Sequence, residues 1–181
     1  NAMNFQTTSF DFSSGFLCQK KVMDVRFEKS KDTTVEWLTP PELVKKLGIF
    51  DLDPCVPVQP PFVHAKNNYN LKDNGLSKDW FGRVYMNPPY GKGMEVWIEK
   101  LKNHGNGIAL IFARTETKLF FNHIWNDAHA ILFVKGRIKF YNIYGEQKGT
   151  PGAPSVFIAY GEENAIALEN SDIEGKLIKL K

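Results

Sequence analysis

Short apolar runs alternate with amphipathic helical patterns in the middle of the chain, and this alternation is the strongest constraint on the fold. Three apolar runs are predicted to be buried strands: residues 83–86, 108–112 and 130–134. Between the first two runs, apolar residues repeat at the i, i+3, i+4, i+7 spacing of one helical face: Met94, Trp97, Ile98 and Leu101. A strand–helix–strand–helix order predicts an α/β domain, with a mostly parallel sheet and helices on both faces.

The segments before this region predict a helix, a strand and a long loop. Thr39 is followed by two prolines and Glu42, which indicates a helix capped by Thr39 that ends at Gly48. Residues 49–53 are predicted to form a buried strand that stops at the following proline. Residues 56–70 are predicted to be an irregular loop, and a loop of that length is more often functional than idle.

The segments after residue 112 predict one more helix and a final pair of strands. The helix covers residues 119–125, and its inward side is predicted to carry Phe121, Ile124 and Trp125. Two apolar runs then flank a Gly- and Pro-rich loop: residues 138–141 and 156–160. We expect these two C-terminal strands to pair antiparallel.

Chain length bounds the number of domains. The 181 residues, 43% of them hydrophobic, are enough to bury one sizeable core and too few for two independent domains. We expect a single domain over residues 37–181, after a leader over residues 1–36 that is partly disordered or carries a short arm. Asn1 and Ala2 precede Met3 and are typical of the remnant of a cleaved expression tag.

The motif Asn87-Pro88-Pro89-Tyr90 lies where a predicted strand ends and a helix is about to begin. Ligands of open α/β sheets bind at the carboxyl ends of strands, so the motif has the position of a functional site. Each proline fixes its own φ, and the residue before a proline is held extended, so the tetrapeptide is stiff. The structural alternative is a rigid turn that merely ends a strand.

These residue types suit the methylation of a planar amino nitrogen, whose lone pair is delocalised and must be localised before it can attack. The side-chain oxygen of Asn87 and the backbone carbonyl of Pro88 are two fixed acceptors for the two amino hydrogens. Tyr90 offers an aromatic face for a base turned out of its helix. Asn87, Pro88 and Tyr90 are therefore the candidate catalytic residues.

With these motifs in view, the sequence resembles the phage-type DNA adenine-N6 methyltransferases over roughly residues 35–160. The segments that carry the resemblance occur in this order: Trp37-Leu38-Thr39-Pro40, Phe50-Asp51-Leu52-Asp53-Pro54-Cys55, Asn74-Gly75-Leu76 followed by Trp80, Asn87 to Gly91, Ala113-Arg114-Thr115 and Gly136-Arg137-Ile138-Lys139-Phe140. The resemblance implies a Rossmann-like methyltransferase fold. It also implies S-adenosylmethionine as methyl donor and the exocyclic amine of adenine in DNA as acceptor.

The same resemblance implies where the donor binds. It places Thr39 and residues 53–55 near the methionine end of the donor, and residues 73–76 near its nucleoside. The predicted cofactor-binding residues are Trp37, Thr39, Asp53, Pro54, Cys55, Asp73, Asn74, Leu76 and Asn87.

Basic residues close to the predicted sheet edge are candidates for DNA contacts, together with the aromatic ring of Tyr90. Lys92 lies beside that tyrosine, Arg114 follows the strand of residues 108–112, and Arg137 precedes residues 138–141. A solvated charge is the alternative for each, and protection of a sheet edge is a further one for Arg137. Readout of the target sequence is expected from two loops: residues 56–70 and 142–154.

Cysteine, histidine and hydropathy patterns exclude several classes of protein. Cys18 and Cys55 are far apart and outside any C-x-x-C pattern, which argues against disulfides and a zinc cluster. The histidines show no metal-binding spacing: His64, His104, His123 and His129. No apolar run is long enough for a membrane span and no signal peptide is recognisable. We therefore expect the protein to be located in the cytoplasm of a bacterial or phage-infected cell. The net charge of +3 is compatible with a polyanionic partner but decides nothing.

Three functions therefore remain open. The first is a DNA adenine methyltransferase that acts on a flipped base. The second keeps the chemistry with an RNA base or a protein glutamine as acceptor, because any planar amine or amide nitrogen suits two acceptors. The third is an inactive, methyltransferase-like binding module. That option is motivated by Asn74, where the family tends to have Asp, and by the lack of a glycine-rich turn after Cys55.

Overall fold

The computed structural model describes residues 37–147 and 149–181, so the leader of residues 1–36 lies outside the described residues. The helices are Pro41–Lys45 (α1), Met94–His104 (α2), Lys118–His123 (α3) and Glu162–Glu169 (α4). The strands are Phe50–Val56 (β1), Ala65–Asn70 (β2), Val84–Met86 (β3), Gly107–Phe112 (β4), Ala130–Val134 (β5), Ser155–Tyr160 (β6) and Gly175–Lys179 (β7). The α/β class predicted from the sequence is confirmed.

The seven described strands form one sheet in the order β2-β1-β3-β4-β6-β5-β7. β1 is parallel to β2 and β3, and β3 is parallel to β4. β6 is antiparallel to both β4 and β5, so β5 runs in the same direction as β4. The carboxyl ends of β1 to β5 therefore meet at one edge of the sheet, which is where a strand-end site is expected.

Alternate side chains of the central strands enter two separate apolar clusters, as the two-residue period of a strand requires. In β4, Ile108 and Leu110 pack in a cluster that includes buried residues of α1 and α4. Ala109 and Ile111 pack in the other cluster, with buried residues of α2 and α3. Side chains on both faces of β4 are thus buried, which explains its continuous apolar run.

The structure shows that β1 does not stop at Pro54 but continues to Val56. The pairing register with β2 shifts between Asp53 and Val56, so the proline sits in an irregularity of the ladder. The amide of Cys55 donates to Asp53 Oδ1 at 3.2 Å. The Asp53 side chain thus accepts a hydrogen bond from a backbone N–H at the irregularity, and the strand continues.

Residues 56–70, predicted to be irregular throughout, contain the edge strand β2. Its sequence is polar, with Lys66 and Asn67 exposed, because only one side of an edge strand is paired and little of it is buried. A strand without an apolar pattern gives no periodic signal, so the hydrophobicity pattern missed it.

The predicted antiparallel pair of C-terminal strands is wrong. Residues 138–141 form no strand, and Tyr141 makes only isolated bridges to Leu38 and Gln147. Ile138 and Phe140 are nevertheless buried, so their alternation reflects packing without a ladder. The antiparallel strands are β6 and β7, which each pair with β5 rather than with one another. β7 and α4 lie in a segment for which the sequence predicted no element.

Two side-chain predictions for the helices are also wrong. Phe121 was expected inside, but it is 61% exposed, and its neighbour Phe120 is buried instead. Thr39 does not cap α1, because Pro40 occupies the N-cap and the helix has no side-chain cap. Thr39 is buried and accepts a hydrogen bond from the hydroxyl of Tyr85 at 2.7 Å, so packing on the sheet takes precedence over capping.

Candidate active site

A pocket of about 540 Å³ lies at the carboxyl ends of the strands β1, β2 and β3. Its volume is within the range of roughly 300–1,000 Å³ that is usual for small-molecule sites. The lining residues come from five segments of the chain: 37–39, 53–57, 62–64, 70–75 and 85–89, together with Trp97 of α2. The pocket thus lies at the position that the sequence indicated.

Asn87 follows β3 directly, and its two side-chain atoms have different surroundings. Nδ2 donates a hydrogen bond to the backbone carbonyl of Trp37, which fixes the orientation of the amide. Oδ1 is buried and has no hydrogen-bond partner among the described residues. A buried acceptor left unpaired costs free energy, so such an atom in a pocket indicates a ligand that donates to it.

Pro88 and Pro89 follow Asn87 and also line the pocket. Pro88 is buried, whereas Pro89 is exposed. The two fixed φ angles hold this corner of the backbone rigid. Asn87 and Pro88, which the sequence predicts to supply two acceptors, therefore lie on a stiff segment at the pocket wall.

Asp53 supplies a buried carboxyl at the end of β1. Burial raises its pKa from the ordinary value of 3.8 to about 7, although hydrogen bonds from the amide and thiol of Cys55 act in the opposite direction. Burial also raises the pKa of the Cys55 thiol, with Asp53 nearby as a further cause, so the thiol stays protonated. Its Sγ donates to the carbonyl of Asn87 at 3.4 Å, which links β1 to the motif.

Aromatic side chains form a large part of the pocket wall. The His64 ring lies edge-on to Tyr85, with ring centroids 5.2 Å apart. It is tilted by 54° against the ring of Phe62, at a centroid distance of 5.4 Å. Burial lowers the pKa of His64 to about 4, so the ring is neutral at pH 7. Its Nε2 is buried and has no partner within the described part of the chain. The pocket therefore contains a second unpaired polar atom.

A run of turns after β2 forms another part of the wall, through Asn74 and Gly75. Asn74 has a positive φ of 55°, a conformation that Asn tolerates better than most residues. Asp73 and Leu76 are not among the lining residues. Asp73 Oδ2 instead accepts a hydrogen bond from the amide of Asn70 at 2.9 Å, which closes the turn.

Tyr90 lies beside the pocket rather than in its wall. Its ring packs on Phe112 with centroids 4.3 Å apart and an interplanar angle of 31°. Its hydroxyl lies 3.5 Å from the carbonyl of Leu110, to which it donates. Burial raises the pKa of this hydroxyl, so the phenol stays neutral. Phe112 thus covers part of the Tyr90 ring. The role of Tyr90 as a stacking surface for a base stays a prediction.

The three predicted basic DNA contacts are exposed and share one edge of the sheet. Lys92, Arg114 and Arg137 follow β3, β4 and β5 along the chain. Because these strands run in the same direction, their carboxyl ends lie on the edge that carries Asn87. None of the three lines the pocket, so they remain candidates for contacts outside it.

Sequence reasoning missed several residues that line the pocket: Phe62, His64, Tyr85 and Trp97. Two loops bring the aromatic wall together, because Phe62 contacts Tyr141 and Trp37 contacts Phe140, at centroid distances of 5.4 and 6.0 Å. These contacts join positions about 80 to 100 residues apart, and no local pattern carries that information. The position of Tyr85, two residues before Asn87 on the same strand face, was the one available signal.

The chemistry of the described lining is selective. It includes one carboxyl group, from Asp53, and no lysine or arginine among the residues that the structure describes. Within those residues, no cluster of side chains suits a metal ion. No helix in the described ranges is long and apolar enough to cross a membrane. The pocket therefore favours a ligand that is neutral or positively charged over an anion.

Comparison with protein families matches residues 27–161 to the family described as DNA N-6-adenine-methyltransferase (Dam). The match includes every segment on which the sequence resemblance rests, and it spans well over half of the 181 residues. Searches of curated proteins and of solved structures found no match to the chain. The lining residues of the pocket, with Asn87 among them, all fall within the matched range. The chain therefore belongs to the Dam family and is a DNA adenine-N6 methyltransferase.

Proposed function

We propose that the pocket beside Asn87 binds S-adenosylmethionine and the target adenine, and that Asn87 and Pro88 orient the adenine amine for methylation. The observation that carries the proposal is the buried, unpaired Oδ1 of Asn87. The amine offers the hydrogen that this acceptor lacks. Asn87 Nδ2 already donates a hydrogen bond to the Trp37 carbonyl, and this contact keeps the side-chain amide from rotating.

The residues present fit the proposed donor. S-adenosylmethionine carries a sulfonium, an α-ammonium and a carboxylate, so its net charge is positive, and the described lining has no basic side chain that would repel the two cationic groups. Asp53 would pair with the ammonium, since a buried carboxyl with a pKa near 7 lacks a cationic partner. When bound, the donor supplies an electrophilic methyl group on a positively charged sulfur.

The chain contributes orientation rather than proton transfer. Hydrogen bonds from the adenine amine to Asn87 Oδ1 and to the Pro88 carbonyl would localise the nitrogen lone pair and direct it away from the ring plane. A methylated, positively charged amine on a purine releases its proton readily, so no strong general base is required. This agrees with the neighbouring Cys55 thiol, whose raised pKa keeps it protonated and acting as a donor.

We further propose that the domain is Rossmann-like, with helices on both faces of the sheet. Two features support this. The strand order reverses at β1, which has β2 on one side and β3 on the other, and such switch points are where α/β sheets bind ligands. In addition, α1 and α4 contribute to one apolar cluster, whereas α2 and α3 contribute to the other.

DNA would approach the edge that carries Lys92, Arg114 and Arg137. These exposed residues follow three strands whose carboxyl ends lie on one edge, and with strands about 4.8 Å apart the row spans roughly 15 Å. That length suits several successive phosphates of a backbone. The target base must leave its helix to reach Asn87, and Tyr90 is the proposed stacking surface for it.

Labelled donor tests the proposal. The protein is incubated with methyl-tritiated S-adenosylmethionine and, separately, with DNA, RNA and a protein mixture. We expect label in DNA alone, and micromolar donor binding in calorimetry without DNA. Label confined to RNA or protein would contradict the choice of acceptor, and a failure of the donor to bind would contradict the assignment of the pocket.

A further inference from the structure

Residues 71–78 follow β2 and are called the turn; they form the side of the pocket next to that strand. Lys100 of α2 is hydrogen-bonded to backbone carbonyls of this turn. Its Nζ donates to the carbonyl oxygens of Leu76 at 2.7 Å and Lys78 at 2.5 Å. A third contact, at 3.5 Å, reaches the carbonyl of Gly75. An ammonium group has three N–H donors, and the two short hydrogen bonds engage two of them. Lys100 is therefore directed mainly toward backbone carbonyls of the chain.

Trp80 holds the same turn. Its indole Nε1 donates to the carbonyl of Gly75 at 2.8 Å. Its ring stacks on Trp97 at a centroid distance of 6.2 Å, and Lys100 Nζ lies 5.1 Å from the ring centroid of Trp80. Trp97 also lines the pocket. The turn, Trp80 and α2 are thus joined by several contacts rather than by one.

The turn fits tightly against the end of β1. A Cβ atom placed on Gly75 would lie 2.0 Å from the carbonyl oxygen of Pro54 and 3.4 Å from the ring of Trp97. A small movement of the turn would therefore change the position of Asn74 and Gly75, which line the pocket. The hydrogen bonds from Lys100 help to hold the turn in that position.

The position of the turn in the sheet indicates which part of the donor it meets, given the proposed function on which this step rests. Asn87 follows β3, Asp53 lies in β1, and the turn follows β2, with β1 between the other two. Adjacent strands are about 4.8 Å apart, so the turn lies roughly 10 Å from Asn87. A donor with its methyl group at Asn87 and its ammonium at Asp53 has only its nucleoside left to reach the turn.

We propose that Lys100 is a positioning residue for donor binding. By holding the carbonyls of Gly75, Leu76 and Lys78, it keeps Asn74 and Gly75 against the purine nucleoside of the donor. Lys100 does not touch the donor, because it is not among the lining residues. Its removal should therefore weaken nucleoside binding and leave the reacting corner at Asn87 unchanged.

The test compares Lys100→Met with Lys102→Met. Lys102 lies on the same helix and pairs with Asp127 at 3.5 Å, so its variant removes the same charge without touching the turn. By calorimetry we expect the Kd of S-adenosylmethionine to rise about tenfold in Lys100→Met, since hydrogen bonds to a charged group are lost. The Kd of 5′-methylthioadenosine, a fragment that contains the nucleoside without the amino acid, should rise by the same factor. At saturating donor, kcat and the KM for DNA should stay within about twofold of the Lys102→Met values.

Two further variants separate positioning from folding. Lys100→Arg keeps the charge and the N–H donors, so it should restore the donor Kd to within about threefold of the wild-type value. If circular dichroism shows that Lys100→Met is unfolded, Lys100→Gln, which keeps two N–H donors, takes its place and should give an intermediate loss of affinity.

Different results would contradict different claims. Equal donor Kd values in the Lys100 and Lys102 variants would overturn the role of Lys100, as would a rise in the KM for DNA with the Kd of 5′-methylthioadenosine unchanged. An absence of donor binding in the wild-type protein would instead overturn the proposed function itself, and the role of Lys100 with it.

Discussion

The nitrogen and the oxygen of the Asn87 side-chain amide have different surroundings. Its Nδ2 is committed to the carbonyl of Trp37, and its Oδ1 is buried without a partner among the described residues. The first contact therefore orients the second atom. An ionised aspartate at this position would only accept hydrogen bonds, so it could not donate to the Trp37 carbonyl as the amide does.

Replacement of Asn87 tests this division directly. We expect Asn87→Ala to lower turnover about 100-fold or more, because a preorganised acceptor for the reacting amine is lost. The Kd of the donor should change far less. Steady-state kinetics and calorimetry provide the two values, and Asn122→Ala, which removes an exposed asparagine bonded to Glu95, is the matched control. Near-normal turnover in Asn87→Ala would refute the role of this side chain.

Asp53 should make donor binding depend on pH. Its pKa near 7 means that below neutral pH the carboxyl holds a proton, which it must release to pair with an ammonium. We expect the affinity for the donor to rise about tenfold between pH 5.5 and pH 7, with proton release at the lower pH. Calorimetry in buffers of different ionisation enthalpy measures both. His64, with a pKa near 4, does not titrate in this range.

The same carboxyl should affect the stability of the protein without donor, with the opposite sign. Because its folded-state pKa lies above the ordinary value of 3.8, Asp53 stabilises the fold fully below about pH 4, and this contribution is lost as the pH rises through 7. The Tm of the wild-type protein should therefore fall relative to that of Asp53→Asn between pH 5 and pH 8. A constant Tm difference, or a donor affinity of Asp53→Asn that still rises with pH, would contradict this account.

Among the elements, the turn after β2 shows how closely the pocket wall fits. Gly75→Ala would place a methyl group 2.0 Å from the carbonyl oxygen of Pro54, so the turn must move away from β1. We expect a donor Kd at least tenfold higher and a lower Tm, measured by calorimetry and by thermal unfolding. Gly152→Ala is the control, because no atom lies within 4 Å of its Cβ position. Equal donor Kd values in the two variants would show that the turn does not shape the site.

The predicted elements succeed or fail according to burial. The predicted bounds of β4 and β5 agree with the observed ones to within one residue, because both strands are continuous apolar runs that are largely buried. β2 is an edge strand with a polar sequence, so no hydrophobic pattern predicts it, whereas the alternation of residues 138–141 predicts a strand that does not form. In that segment the alternation of Ile138 and Phe140 arises from packing against the core.

At the scale of the whole molecule, exposed basic residues at the carboxyl edge should make DNA binding sensitive to salt. Each phosphate contact contributes about one unit to the slope of log K against log salt concentration. We therefore expect Arg114→Ala and Arg137→Ala each to lower the slope by about 1, as measured by fluorescence anisotropy. Lys179→Ala, at a residue of β7 paired with Glu169, is the control. An unchanged slope would place the DNA elsewhere on the molecule.

The sequence predicts only part of the pocket wall. The motif at Asn87 was found because a stiff polar segment at a strand end is a local feature, and Asp53 was found through family resemblance. The wall formed by Phe62, His64 and Trp97 depends on contacts between distant segments. Only the folded sheet, which sets β1 between β2 and β3, brings these segments together.

Mass spectrometry of the nucleosides from DNA treated with enzyme and donor identifies the atom that receives the methyl group. The proposed acceptor pair of Asn87 and Pro88 would present the exocyclic amine of adenine, so we expect N6-methyldeoxyadenosine as the new nucleoside in wild-type reactions and not in those of Asn87→Ala. Methylation at a ring nitrogen or at carbon, or equal yields from the two proteins, would contradict it.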